Sequence, residues 1–308
     1  MRNQVTAEFL RLFSRRLTIV VVVLTIAAAS LQSLLLIPDI MPLTAEDHRQ
    51  AQVLAEENGV WHEEFLEQCE QDPDCDPAEN PAPTAQDFLR WVVDFDDYLQ
   101  MQFDVAGVLL VFALAVWVAV MVGADFRTGS LATQLTFTPR RLQVMSAKII
   151  TSVVVSLALV VLATVVALAV SVVSFILVRS ASGLFLPAAL PATVGRLFVT
   201  CLVVVLLVGL MTILTGSTVA AIVVTGGIYV VGIMIQSSII GYSALLRVIP
   251  TTYLEALFTG SFAPYSYYTS EGILATISFG DALVYFAVIL AVVGLAAAVR
   301  FRRRDLMI

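Results

Sequence analysis

The chain alternates long apolar runs with short polar breaks. Six runs are continuously apolar: Leu17–Ile37, Val105–Val122, Ile149–Val178, Leu197–Leu214, Val219–Tyr242 and Ala282–Val299. Each comes near or above the roughly 20 helical residues that cross about 30 Å of hydrocarbon. None alternates with period two, the mark of a membrane β-strand, so the runs predict helices. The third is too long for one straight crossing and predicts either a tilted span or a helix that begins before the membrane. The fold class that follows is an all-α membrane protein with six transmembrane helices.

Composition agrees. Of 308 residues, 59% are hydrophobic and 13% charged, too few charges to coat a soluble domain of this size. The net charge of −7 hides a sharp asymmetry. Between Pro38 and Phe103 lie 17 of the 24 acidic residues, with only Arg49 and Arg90 as basic ones. The basic residues gather elsewhere: Arg2, Arg11, Arg15 and Arg16 before the first run, Arg127, Arg140, Arg141 and Lys148 between the second and third, and Arg300, Arg302, Arg303 and Arg304 after the last. Basic flanks stay cytoplasmic. The expectation is therefore that both termini are cytoplasmic, with an N-terminal segment 1–16 and a basic tail 300–308. Segment 38–103 is then an acidic extracellular loop between helices 1 and 2. Stretches 179–196 and 243–281 lie outside, the turn Thr215–Thr218 lies inside, and the protein sits multi-pass in the cell membrane. Ala27–Ala29 imitates a signal-peptide cleavage site, but the apolar run continues past it to Ile37, longer than a signal core.

The acidic loop carries two helix starts. Thr44 and Thr84 each stand three residues before an aspartate, Asp47 and Asp87, a variant of the capping box. The Pro-rich stretch 76–83 separates them, and a helix from Asp87 is expected to run through Phe88, Trp91, Val92 and Phe95 into the second span. Cys69 and Cys75 enclose a Pro-containing turn on the proposed oxidising side, which favours a local disulfide. Zinc binding with His62 is the rival. Calcium binding lacks an ordered ladder of Asp and Asn with a Gly. The loop reads either as a lid over an outer vestibule or as a solvated helical hairpin. Cys201, inside a span, reads as a small packing residue.

The break between the second and third runs, residues 123–148, is the most structured of the polar segments. Gly129 and Pro139 bracket about two helical turns. Leu131, Leu135 and Phe137 offer apolar knobs, and Arg127, Arg140 and Arg141 a basic rim, as a helix docked into a groove requires. An interfacial helix lying on anionic headgroups is the alternative. The order Asp125, Gly129-Ser130, Pro139-Arg140-Arg141 and Lys148 resembles the permease subunits of ABC-2 type transporters, as do the six spans and the closing Arg303-Arg304-Asp305-Leu306. Asp125 stands where that family more often has Glu, and Arg140 where a small residue is common. The resemblance covers most of the chain but not the acidic loop. It implies that the segment is a coupling helix pressed against a separate ATP-binding subunit. It also implies two permeases, here a homodimer, working with two ATPase subunits that hold ATP and Mg.

The motor is not legible in this chain. Lys148 is its only lysine, and the residues before it are not the Gly-rich loop that cradles phosphates. No catalytic group, metal site or cofactor site is expected here, nor nucleic-acid binding. Ionisable residues in the spans would mark an ion route, but Asp104, Asp281, Arg179 and Arg196 all fall at predicted edges. In the fifth span Thr218, Thr225, Tyr229, Gly232 and Gln236 share one helical face, either a substrate path or ordinary packing of small residues. Segment 243–281 carries Pro250 and the aromatic group Tyr265, Tyr267 and Tyr268, and predicts short re-entrant helices. The resemblance makes these an outer gate; an aromatic anchor at headgroup level is the alternative. The expected function is a permease subunit of an ATP-driven exporter for amphipathic or hydrophobic cargo. The alternatives are a membrane sensor with an extracellular ligand-binding loop and, less supported, an intramembrane enzyme, for which no paired acids, His-Glu pair or nucleophile elbow is present.

Overall fold

The computed structural model describes residues 6–10, 16–69, 80–137, 140–181, 183–237, 246–263 and 276–303. Among these residues six helices are long and apolar enough to cross a membrane, the architecture of a multi-pass membrane protein. In chain order they are α1 (Arg16–Leu35), α4 (Phe95–Arg127), α6 (Arg141–Arg179), α7 (Leu190–Thr215), α8 (Thr218–Ser237) and α10 (Phe279–Arg303). Between them lie short α2 (Ile37–Ile40), long polar α3 (Ala45–Cys69), two-turn α5 (Ser130–Phe137), α9 (Pro250–Thr259) and a two-residue antiparallel strand pair, β1 (Ser261–Phe262) with β2 (Ile277–Ser278).

Most of the long helices outrun their apolar runs. Apolarity reports only the hydrocarbon crossing, whereas backbone hydrogen bonding continues into polar residues. The third helix accordingly begins at Arg141, before the apolar run, and its 39 residues extend roughly 58 Å at 1.5 Å per residue. The first helix stops at Leu35, and Ile37 belongs to a separate turn opened by Pro38. The fifth is described to Ser237; Tyr242 lies outside the described residues.

One expectation fails. No helix runs from Asp87 into the second span. A single 3₁₀ turn (Ala85–Phe88) ends at an extended Leu89, and α4 starts afresh at Phe95 with Asp94 as its N-cap residue. Asp96 and Asp97 in its first turn complement the positive end of the helix dipole, so the acids that looked like helix interior are instead a helix start. Both threonine caps are present: Thr44 and Asp47 bond reciprocally, and so do Thr84 and Asp87. The backbone hydrogen bond from Thr44, then its hydroxyl, hold the Asp47 carboxyl below its usual value. Thr84 does the same for Asp87. Cys69, buried at the end of α3, is disulfide-bonded; the Cys69–Cys75 pairing itself falls on Cys75, outside the described residues.

The helices form one bundle whose centre is α4 against α7, with α1, α6, α8 and α10 around them. The core includes Tyr98, Leu114, Trp117, Val118, Val160 and Val205, all essentially inaccessible. The two ends of the bundle differ. At one, here the loop end, Arg90 donates to the carbonyls of Pro38 and Met41 and the Val93 amide to Asp39, stitching the polar segment onto the spans. At the other, the clamp end, α5 folds back between α4 and α6.

Candidate functional site

The break between the second and third spans is a helix–turn–helix. Helix α4 ends at Arg127, and Gly129 follows with φ +68°, a left-handed turn that Gly adopts without a Cβ penalty. That turn reverses the chain into α5. Pro139 lies outside the described residues, and Arg140 leads into α6.

A buried charge cluster holds this element. The Lys148 ammonium on α6 bonds the Asp125 carboxylate from the end of α4 and lies 3.2 Å from Glu8 Oε1 in the N-terminal helical stretch 6–10. The Ser130 hydroxyl donates to Asp125 Oδ1 at 3.1 Å, and Gln134 Nε2 donates to Glu8 Oε1 at 2.7 Å. Two residues of α5, one turn apart, thus hydrogen-bond the two carboxylates that flank the chain's single lysine. The Lys148, Asp125 and Glu8 side chains are only 5%, 4% and 13% exposed, so the cluster sits in a low-dielectric setting where its bonds are strong and unpaired members are costly.

This geometry reassigns several residues. Asp125, Leu131 and Lys148 turn inward, Leu131 being 1% exposed, and they brace the short helix from behind. Leu135 is half-buried against the core, and nothing is described of the Phe137 side chain. The outward surface consists of Arg127, Thr128, Gly129, Thr133, Thr136 and Arg140, more polar and basic than the sequence pattern suggested. Arg141 is half-buried and donates to the Arg302 carbonyl at 3.2 Å, tying the start of α6 to the end of α10.

The polar face of α8 is packed on its neighbours. A Cβ on Gly123 of α4 would stand 1.9 Å from Thr218 Oγ1, so these two helices touch there. Thr225 bonds its own helix at the Ala221 carbonyl, and the Tyr229 ring meets Phe112 edge-on at 5.2 Å. Gly232 lies against Thr251 of α9, and Gln236 Nε2 reaches Thr252 Oγ1 at 3.4 Å. Among the described residues the stripe borders α4 and α9. The opposite face of α8 is exposed, and beside Val248–Pro250 it borders an open apolar groove of 580 Å³.

Segment 243–281 is expected from the sequence to hold short re-entrant helices, and α9 is a short helix there, although the sequence does not reveal its packing partners. This short helix packs among α7, α8 and α10. It is started by Pro250, held to α10 by parallel stacking of Tyr253 on Tyr285 at 3.9 Å, and held to α7 by Arg196 donating to the Thr259 carbonyl. It also carries Glu255, whose side chain is exposed. Tyr265, Tyr267 and Tyr268 lie outside the described residues. Among the described residues no cluster of His, Cys, Asp and Glu could hold a metal.

A six-helix membrane bundle with an internally clamped helical hairpin between its second and third spans is the class of protein that fold and site define. Within that class the chain belongs to the DUF2705 family, described as a protein of unknown function, whose family model matches residues 92–307. The match takes in Asp125, α5, Lys148 and α9, and leaves Glu8 and α3 outside. No curated protein and no solved structure matches the chain.

Proposed function

We propose that this chain is the membrane-spanning permease subunit of an ATP-driven exporter of the ABC-2 type, moving an amphipathic or hydrophobic substrate outward. In this reading both termini and α5 are cytoplasmic and 38–103 is extracellular. The chain pairs with a second copy, and two separate ATPase subunits hold ATP and Mg. The observation that carries the reading is α5 itself. A two-turn helix between spans two and three, fixed by buried charges to α4, α6 and the N-terminal stretch, can pass a push to several spans at once. A loosely attached loop would absorb the same push. The outward residues Arg127, Thr133, Thr136 and Arg140 are the surface such a partner would meet.

Affinity purification of the full chain in mild detergent, with identification of co-purifying chains, tests this. A stoichiometric ATP-binding cassette subunit is the expected result, and its reproducible absence overturns the reading. Arg127→Glu combined with Arg140→Glu should reduce that association at least ten-fold while leaving the melting temperature unchanged. Undiminished association and undiminished stimulated ATP hydrolysis would remove α5 from the role.

A further inference from the structure

Helix α3 has two apolar faces, and one of them is uncovered. On its packed face Ala51 and Cys69 are buried, and Ala55, His62 and Leu66 are half-buried. The helix packs on the 3₁₀ turn Ala85–Phe88. The other face carries Trp61, Val60, Val53 and Leu54, which are 72%, 57%, 48% and 42% exposed. With 3.6 residues per turn, these four fall within about 120° of the helix circumference, together with Glu57 and Glu64. Glu57 stands one turn from each apolar pair, and Glu64 one turn beyond the second. The stripe therefore alternates apolar pair, acid, apolar pair, acid. Both acids are exposed, and neither forms an ion pair among the described residues. A single exposed apolar side chain is ordinary, whereas a contiguous stripe marks an interaction surface. Its seven-residue recurrence suits a helix lying along a second helix.

Charge selects the occupant. Helix α3 holds seven Asp and Glu residues against Arg49 as its single Lys or Arg, and Arg49 is paired with Glu46 at 3.0 Å. A second copy of this face would set Glu57 and Glu64 against like charges. Anionic headgroups attract basic segments, not acidic ones. The complement is a helix whose apolar residues are interleaved with Lys or Arg. We propose that the exposed stripe of α3 is a docking surface for a cationic amphipathic helical peptide. Trp61 and Leu54 anchor its apolar side, as aromatic anchors do at interfaces, and Glu57 and Glu64 pair with its cations. The surface lies outside residues 92–307, the part matched by the family model, and it goes beyond the permease reading without depending on it.

The probes are two fluorescent synthetic peptides of about three heptads, one of leucine and lysine, the other with glutamate in place of every lysine. Anisotropy reads their binding to the full-length protein in nanodiscs of neutral phosphatidylcholine, against empty discs and without nucleotide or partner subunit. The lysine peptide should bind the protein-bearing discs specifically, the glutamate peptide should not, and added salt should weaken the binding. Leu54→Ser/Trp61→Ser and Glu57→Gln/Glu64→Gln should each weaken it at least ten-fold. Glu56→Gln/Glu63→Gln removes as much charge about 100–120° from the middle of the stripe and should cost no more than two-fold. No protein-specific binding, equal binding of the glutamate peptide, or equal loss in the Glu56/Glu63 pair overturns the proposal. A fall in particle mass on Leu54→Ser/Trp61→Ser would assign the stripe to a second copy and likewise overturn it. No ATPase enters this test, so its failure leaves the docking role of α5 standing, and failure of the co-purification leaves this surface standing.

Discussion

Two acidic places in this molecule are built in opposite ways. At the clamp end, Asp125 and Glu8 close on Lys148 and accept further bonds from Ser130 and Gln134, nearly out of reach of solvent. On α9, Glu255 is exposed and forms no ion pair among the described residues. The first carboxylates are spent on holding helices together. The second contributes little to architecture and remains available to something else. An acidic residue in a membrane bundle is therefore read by whether its charge has already been answered from within.

The comparison breaks most clearly at Lys148. Lys148→Met leaves two buried carboxylates without their ammonium and should cost about 3–5 kcal/mol, the range for removing one partner of a buried pair. Thermal unfolding of the detergent-solubilised protein measures it, and an unchanged midpoint would mean the cluster does not hold the fold. Gly123→Ala probes the same end without touching a charge. Its Cβ meets the Thr218 side chain at 1.9 Å and the Thr218 backbone nitrogen at 3.1 Å, so an overpacking loss of about 1–3 kcal/mol is expected. If Thr218→Ala rescues it fully, the side chain alone is the obstacle. Ser130→Ala removes one hydrogen bond to a buried carboxylate and should cost about 1.5 kcal/mol. Glu255→Gln, by contrast, should change stability by no more than about 0.5 kcal/mol, as for surface substitutions. A large loss there would mean the residue is structural and would undo the contrast.

The smallest effect belongs to the capping acids of the loop. Hydrogen bonds from Thr44 and Thr84 hold Asp47 and Asp87 below the ordinary value of 3.8. A carboxyl depressed in the folded state lends stability that is fully present above 3.8 and is lost as pH falls through the lowered folded value. Protease resistance of segment 36–94 should then be greater in the wild type than in Asp47→Asn/Asp87→Asn at neutral pH. The two should converge as pH falls through that lowered value, in line with linkage. A gap that persists in acid would place its origin elsewhere.

Much of this was legible in the sequence because it is written locally. Six apolar runs gave six helices, Thr44 and Thr84 announced their caps, and Gly129 with Pro139 bracketed a two-turn helix. What was not legible depends on distance along the chain. Lys148 and Glu8 are 140 residues apart, and no periodicity encodes such a contact, so Asp125 and Lys148 were legible only as members of the coupling motif. One signal was there: the only lysine opens the third span just as Asp125 closes the second, which puts opposite charges at one level of two antiparallel neighbours. Similarly, Ser278 and Asp281 form a reciprocal cap for α10, a pattern of the same kind as the two recognised in the loop. Helix α9 was expected only as a short re-entrant piece. Its insertion among three spans follows from tertiary packing of Ala256 and Leu257, both fully buried, which a ten-residue window does not reveal.

The order of the clamp residues along the chain has a consequence for biosynthesis. Glu8 and Asp125 are translated before Lys148, so two carboxylates that end up desolvated have to wait, hydrated, for the single lysine of this sequence. The hairpin of α4, α5 and α6 can seal only after the ribosome has delivered the head of the third span. Until then the salt bridges that join α4 and the N-terminal stretch to α6 cannot form.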